Sequence, residues 1–257
     1  MTKVSFLAVV FFASFIPFEP LFAADFTADQ VRAVLAKSTP DHPADFAGKD
    51  LSDLDLSSLD FKRANLAGTN LFASKLVKSN LSGANLSGSI LNSAWLMGTD
   101  FRGANLSKSS ILGPVVLGGQ IKEKPNFAGA NLSGARIIAD FPGTDFSGAN
   151  LAGARMQVEL KNQGMGQMRN ELTGANFSGA NLSGADLGRA VMNFTNLTNA
   201  DLRGAKFFLV NLSGADLTGA DATGADFTEA NLAGTLLKGA KGMAQATGLD
   251  KAKNRDQ

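Results

Sequence analysis

The sequence predicts an all-β solenoid, one elongated domain whose backbone turns a corner at every fifth residue. Three observations lead there. First, one phrase recurs with few gaps over residues 46–237: a small residue, an Asn or Asp, a Leu or Phe, then two small or polar residues. Ala175-Asn176-Phe177-Ser178-Gly179 and Ala180-Asn181-Leu182-Ser183-Gly184 show it twice in succession. Alternation at two marks a half-buried strand and spacing at three to four marks a helix, so a strict five needs a regular bend. Second, the 28 glycines mostly hold a fixed place in the five beside a bulky apolar partner, which makes them corner residues rather than signs of disorder or collagen. Third, with no Cys to staple it, the chain must be stabilised by packing alone.

Residues 1–23 read as a secretory signal peptide. Lys3 gives a short positive start, residues 4–18 are almost wholly apolar, and Pro17 and Pro20 precede Leu21-Phe22-Ala23-Ala24, with cleavage after Ala23. That run is shorter than the ~20 apolar residues that span a bilayer, so no stable membrane insertion is expected after cleavage. The protein is expected to be exported, periplasmic or secreted. Residues 24–43 form an N-terminal capping helix and linker. Thr27 is its N-cap, Gln30 completes a capping box, Val31, Val34 and Leu35 share one face, and Pro40-Asp41-His42-Pro43 stops it. An open end of stacked coils exposes strand edges and apolar side chains, which such a helix covers.

The repeat occupies residues 44–241. Its apolar centres run Phe46, Leu51, Leu56, Phe61, Leu66 and onward to Ile111 without a slip, and the position two before each centre is usually small, as at Ala64, Ala84 and Ala104. Large and small residues thus alternate in a narrow interior while the Asn or Asp faces outward. Interruptions fall at residues 112–126 and 157–171, and one residue is missing near Ile137. Residues 242–257 form a C-terminal cap and tail, with a short helix expected over 242–246 and Gly248 as its stop.

The motif A-[DN]-[LF]-x-x, repeated about 35 times, is far beyond chance and resembles the pentapeptide repeat family. The resemblance implies a right-handed quadrilateral β-helix with capping helices at both ends. Four fives make a coil, and residues a coil apart stack at about 4.8 Å, for roughly nine coils. Some members of that family mimic DNA and bind DNA gyrase with a strongly acidic rod in the cytoplasm. This chain departs in its balanced charge, 24 basic against 23 acidic residues, and in its signal peptide.

Chemistry-bearing residues are sparse. His42 is the only His and sits in a turn between prolines. Asp45, Asp50, Asp53, Asp55 and Asp60 are dense in sequence, but the repeat sends four of them to four different sides, where they cannot converge on an ion. No catalytic residue, cofactor site or metal site is expected, and the charge balance predicts no nucleic-acid partner. Arg136, Arg155, Lys161 and Arg169 read as a solvated surface, with an anionic lipid headgroup or polysaccharide as the alternative ligand. The informative positions are apolar ones where Asn or Asp is the rule. Ile90 and Trp95 form one candidate interaction patch, covered either by residues 112–117 folding back or by a partner. Val191, Phe208 and Leu209 form a second. The expected function is a non-enzymatic exported scaffold that meets an unknown protein partner or itself. A gyrase-binding DNA mimic and an envelope enzyme with Glu159 and Glu171 in the interruptions are the alternatives.

Overall fold

The computed structural model describes residues 24–116, 123–157 and 169–253. The signal segment, Lys161 and Glu159 lie outside them.

Each five makes one side of a four-sided parallel β-helix. The residue before each apolar centre bridges, in parallel, to its counterpart one coil on, and the bridges line up in four columns. They begin at Asp45, Asp50, Asp55 and Asp60, and those residues name the four sides below. Between sides the chain makes a turn closed by a backbone bond such as Ala64 N–H to the Phe61 carbonyl, 2.8 Å. The third residue of that turn has positive φ. Gly supplies it without strain, as at Gly68, whereas Arg63 and Lys108 adopt it at a steric cost.

The interior is filled from both inward positions. Leu51, Leu71 and Leu91 are fully buried at the centres, and Ala84, Ala94 and Ala104 at the small positions two residues before them. Behind the Asp60 side, Phe101, Phe127, Phe146 and Phe177 stack with centroids 4.8, 5.0 and 4.8 Å apart. Outside, the Asp45 side carries an amide ladder. Asn85, Asn105, Asn131 and Asn150 each donate from Nδ2 to the Oδ1 of the residue one coil before, at 3.1–3.2 Å. Each Oδ1 also accepts the backbone N–H two residues on, which fixes the orientation of the amide.

The capping helix α1, Ala28–Leu35, starts at Thr27 with the capping box to Gln30 and buries Val31. It is tied to the first coil by Asp25, whose N–H donates to the Asp50 carbonyl while its carboxylate accepts from Asp50 N–H, both at 2.8 Å. Phe26 meets Phe46 edge to face.

The C-terminal end differs from expectation. Residues 242–246 form no helix: Ala246 N–H reaches the Gly242 carbonyl in a single α-turn, and Thr247 N–H then bonds to the Ala225 carbonyl. The ladder captures the chain before a helix can propagate. The coil continues to Lys253, which bridges Asn231, and α1 is the only α-helix among the described residues. No helix among them is long and apolar enough to cross a membrane.

Coil lengths vary in the middle. Successive rungs of the Asp45 ladder lie 20 residues apart up to Asn105, then 26 and 19, and the Asp60 column next takes 31 residues from Asp145 to Asn176. Both long coils return to register.

Candidate interaction surface

The changes of coil length in the middle of the rod gather at one side. The Asp55 column reads Asp55, Lys75, Trp95, Val115 and, after one step without a bridge, Asp140, Glu171 and Val191. The extra residues of the 26-residue coil enter after Val116, at one edge of this side, and those of the 31-residue coil enter after Gln157, at the other. The residue missing from the short coil lies between Arg136 and Asp140, again at that second edge.

Trp95 and Ile90 are exposed, at 39% and 40%, on adjoining sides of the same coil. Lys75 Nζ lies 5.8 Å from the Trp95 ring. Residues 112–116 do not fold back over them. Leu112 pairs with Ile138 in a two-stranded parallel ladder, β1 (Ser110–Leu112) against β2 (Arg136–Ile138), and Val115 bridges Trp95. Pro114 and Val116 turn inward, so this stretch forms the next side of the coil because its apolar residues fall on inward positions. Leu117 lies outside the described residues. The turn residue Phe72 adds to the patch at 45% exposure, at the corner where Asn92 sits one coil above, between Ile90 and Trp95.

The second patch is less open. Val191, Phe208 and Leu209 are half-buried, and the Arg189 guanidinium lies 5.6 Å from the Phe208 ring. The exposed aromatic there is Phe194, at 67%, on the neighbouring corner. Phe72 and Phe194 occupy turn positions, as Phe208 and Leu209 do, and a large aromatic in a small or polar slot is the signal that finds them.

Between the patches the unbridged step leaves a cleft of about 250 Å³ lined by Gly113, Pro114, Ile138, Ala139, Asp140, Arg169 and Glu171. Asn170 repairs the ladder beneath it. Its fully buried side chain accepts from Ala139 N–H at 2.9 Å and donates to the carbonyls of Ile137 and Met156. Its signal in the sequence is a polar residue at an inward position where Ala is usual. Asp140 and Glu171 are neighbours in the column, and partial burial together with the Glu171 charge holds the Asp140 carboxyl above the usual range. Glu171 accepts from Thr173 N–H and hydroxyl. Asp45, Asp50, Asp55 and Asp60 begin four different columns, and no group of three or more potential metal ligands occurs among the described residues. His42 is exposed and exchanges backbone bonds with Thr39.

A family model for pentapeptide repeats matches eight copies, over residues 64–103, 79–111, 139–157, 171–207 and 205–241. Nothing among curated proteins matches. Among solved structures, HetL, a pentapeptide repeat protein involved in heterocyst differentiation regulation from the cyanobacterium Nostoc, is 24% identical over 86% of this chain and 94% of that one, with TM-score 0.34. A pentapeptide repeat protein of the Arabidopsis thaliana thylakoid lumen is 32% identical over 46% and 69%, with TM-score 0.26. QnrB1, a plasmid-mediated fluoroquinolone resistance protein, is 18% identical over 77% and 88%, with TM-score 0.31. Eight matched copies across more than half of the sequence, on a coil that bends every fifth residue, make this chain a member of the pentapeptide repeat family, a right-handed quadrilateral β-helix.

Proposed function

We propose that this protein is an exported, non-enzymatic scaffold that binds a protein partner through the Asp55 side of its rod. One observation carries the reading: the three changes of coil length in the middle of the rod and the exposed residues Phe72 and Trp95 fall on this side or its edges, with exposed Ile90 on the adjoining side, while the Asp45 side keeps its amide ladder across the 26- and 19-residue coils. A surface that repeats on every coil cannot distinguish one place from another, so recognition belongs where the repeat departs from itself. Trp and Phe at the centre of such a departure are the residue types that anchor protein interfaces. The hydrophobic start of the sequence supports export, and the balanced charge argues against a DNA-like acidic rod.

The test is site-resolved photo-cross-linking in the producing cell. A benzophenone amino acid placed at Trp95 is expected to give a discrete protein adduct, and one placed at Asn181 on the Asp45 side is expected to give none. Equal labelling from the two positions would overturn the reading, and so would loss of the exported pool when residues 1–23 are left intact.

A further inference from the structure

The order of residues along the Asp55 side is self-complementary when reversed. Counting coils from the first, the column carries Asp55, Lys75, Trp95, Val115, Asp140 and Glu171. Placed face to face with an inverted copy, the third coil meets the fourth, the second meets the fifth, and the first meets the sixth. Trp95 then lies against Val115, an apolar pair. Lys75 lies against Asp140, which are both exposed and opposite in charge. At the corner shared with the Asp50 side, exposed Asp53 lies against exposed Arg169. Asp55 and Glu171 are the one like-charged match. Asp55 is held by Lys75 Nζ at 3.8 Å and Glu171 by the Thr173 hydroxyl, so neither faces the other unpartnered.

The parallel arrangement lacks this property. With both rods pointing the same way each coil meets itself, Lys75 opposes Lys75 and Asp140 opposes Asp140, and like charges set directly opposite are destabilising. A two-fold operation that inverts the rod makes one surface serve both copies, as an isologous dimer interface requires.

From this arrangement, and resting on the reading of the Asp55 side as the binding surface, we propose that its occupant is a second copy of this chain in antiparallel orientation. Trp95 of each copy packs on Val115 of the partner subunit, and Lys75 pairs with Asp140 of the partner subunit. The apolar centre excludes water, and the flanking charges fix orientation and register. Lys75 sits between Asp55 of its own chain and the partner's Asp140, so ordering it serves two carboxylates.

The experiment is sedimentation velocity on the exported protein from about 1 to about 100 μM, the range in which an interface of ordinary size associates. The wild type is expected to move from monomer to dimer. Lys75→Glu and Asp140→Lys are each expected to weaken dimerisation at least ~10-fold. The double variant, which restores both pairs with reversed polarity, is expected to return to within about threefold of the wild type. Lys75 and Asp140 are both exposed, so circular dichroism should be unchanged across the set. Orientation is read with cysteines, since the chain has none of its own. Mixed Lys75→Cys and Asp140→Cys chains should form a disulfide with each other, whereas Lys75→Cys alone should not, because three coils at about 4.8 Å separate its two copies. A wild type that stays monomeric, a double variant no tighter than the single ones, or a Lys75→Cys homodisulfide would overturn the proposal. A monomeric wild type that still cross-links from position 95 to another protein would do so while leaving the scaffold reading standing.

Discussion

Phe101 and Phe127 stack with their ring planes 2° apart and their centroids 4.8 Å apart, although the coil between them takes 26 residues instead of 20. The stack continues through Phe146 to Phe177, across the short coil and the 31-residue coil. Aromatic contact behind the Asp60 side therefore holds register exactly where chain length varies on the Asp55 side. Phe127→Ala is expected to lower stability by about 3–5 kcal/mol. Phe127→Leu, which copies the residue used at Leu81 and Leu197, should cost only about 1 kcal/mol. Urea unfolding followed by circular dichroism distinguishes these outcomes, and equal losses would mean that the ring contact, rather than the volume it fills, carries the stabilisation.

Asn170→Ala is expected to destabilise the protein by about 2–3 kcal/mol, because it strands the Ala139 N–H and the carbonyls of Ile137 and Met156 in a buried site. Asn170→Asp keeps the acceptor for Ala139 but sets a carboxylate against two carbonyls, so it should be at least as harmful at pH 7. Amide exchange at Ala139 should rise sharply in both variants.

The amide ladder makes a different prediction for Asn105→Asp. The new carboxylate still accepts from Asn131 Nδ2 and Ser107 N–H, but it has no hydrogen to give Asn85 Oδ1. A loss of about 1–2 kcal/mol at pH 7 is expected, from one missing bond and two facing oxygens. Protonation restores a donor, so the difference from wild type in thermal unfolding should shrink at acid pH.

Asp140 has the opposite dependence from a salt-bridged carboxylate. Partial burial and the neighbouring Glu171 raise its folded-state value above the unfolded one. The resulting penalty is absent below the ordinary carboxylate range, grows as pH rises through it, and is complete above the raised folded value. At protein concentrations too low for association, Asp140→Asn should therefore raise the melting temperature at pH 7 and leave it unchanged at strongly acid pH. A variant less stable at pH 7 would show that the carboxylate is a stabilising partner in the isolated chain. Asp100, held below the usual range by its hydrogen bonds from Arg102, should behave conversely, with Asp100→Asn losing stability at pH 7 and not at acid pH.

The scaffold was legible because its rule is local. An apolar centre every fifth residue with Ala two before it leaves one way to bury both, and Thr27 with Gln30 announces its helix through side-chain chemistry alone. The membership of the Asp55 side was not legible, because placing a residue on a side means counting from the first coil. The count fails once coils of 26, 19 and 31 residues intervene. Ile90 and Trp95 stood out as substitutions at the Asn/Asp position, but that Asp140 and Glu171 share a column with Trp95 depends on knowing where the extra residues enter. Residues 112–116 look like a break because Pro114 and Val115 stand where Ala and Asn are usual. The inward positions of Pro114 and Val116 keep them in the coil.

The amide ladder also has a sense. Each of its Asn side chains gives its hydrogens toward the start of the chain, and Asp45, which has none to give, receives the last from Asn65 at 2.9 Å. A coil duplicated within the Asn run would slot into that series with one hydrogen given and one received at its rung. A second copy of the first coil would bring two carboxylates together instead. Tandem duplication can thus lengthen the body of this rod without disturbing its neighbours, while the first coil can only be a beginning.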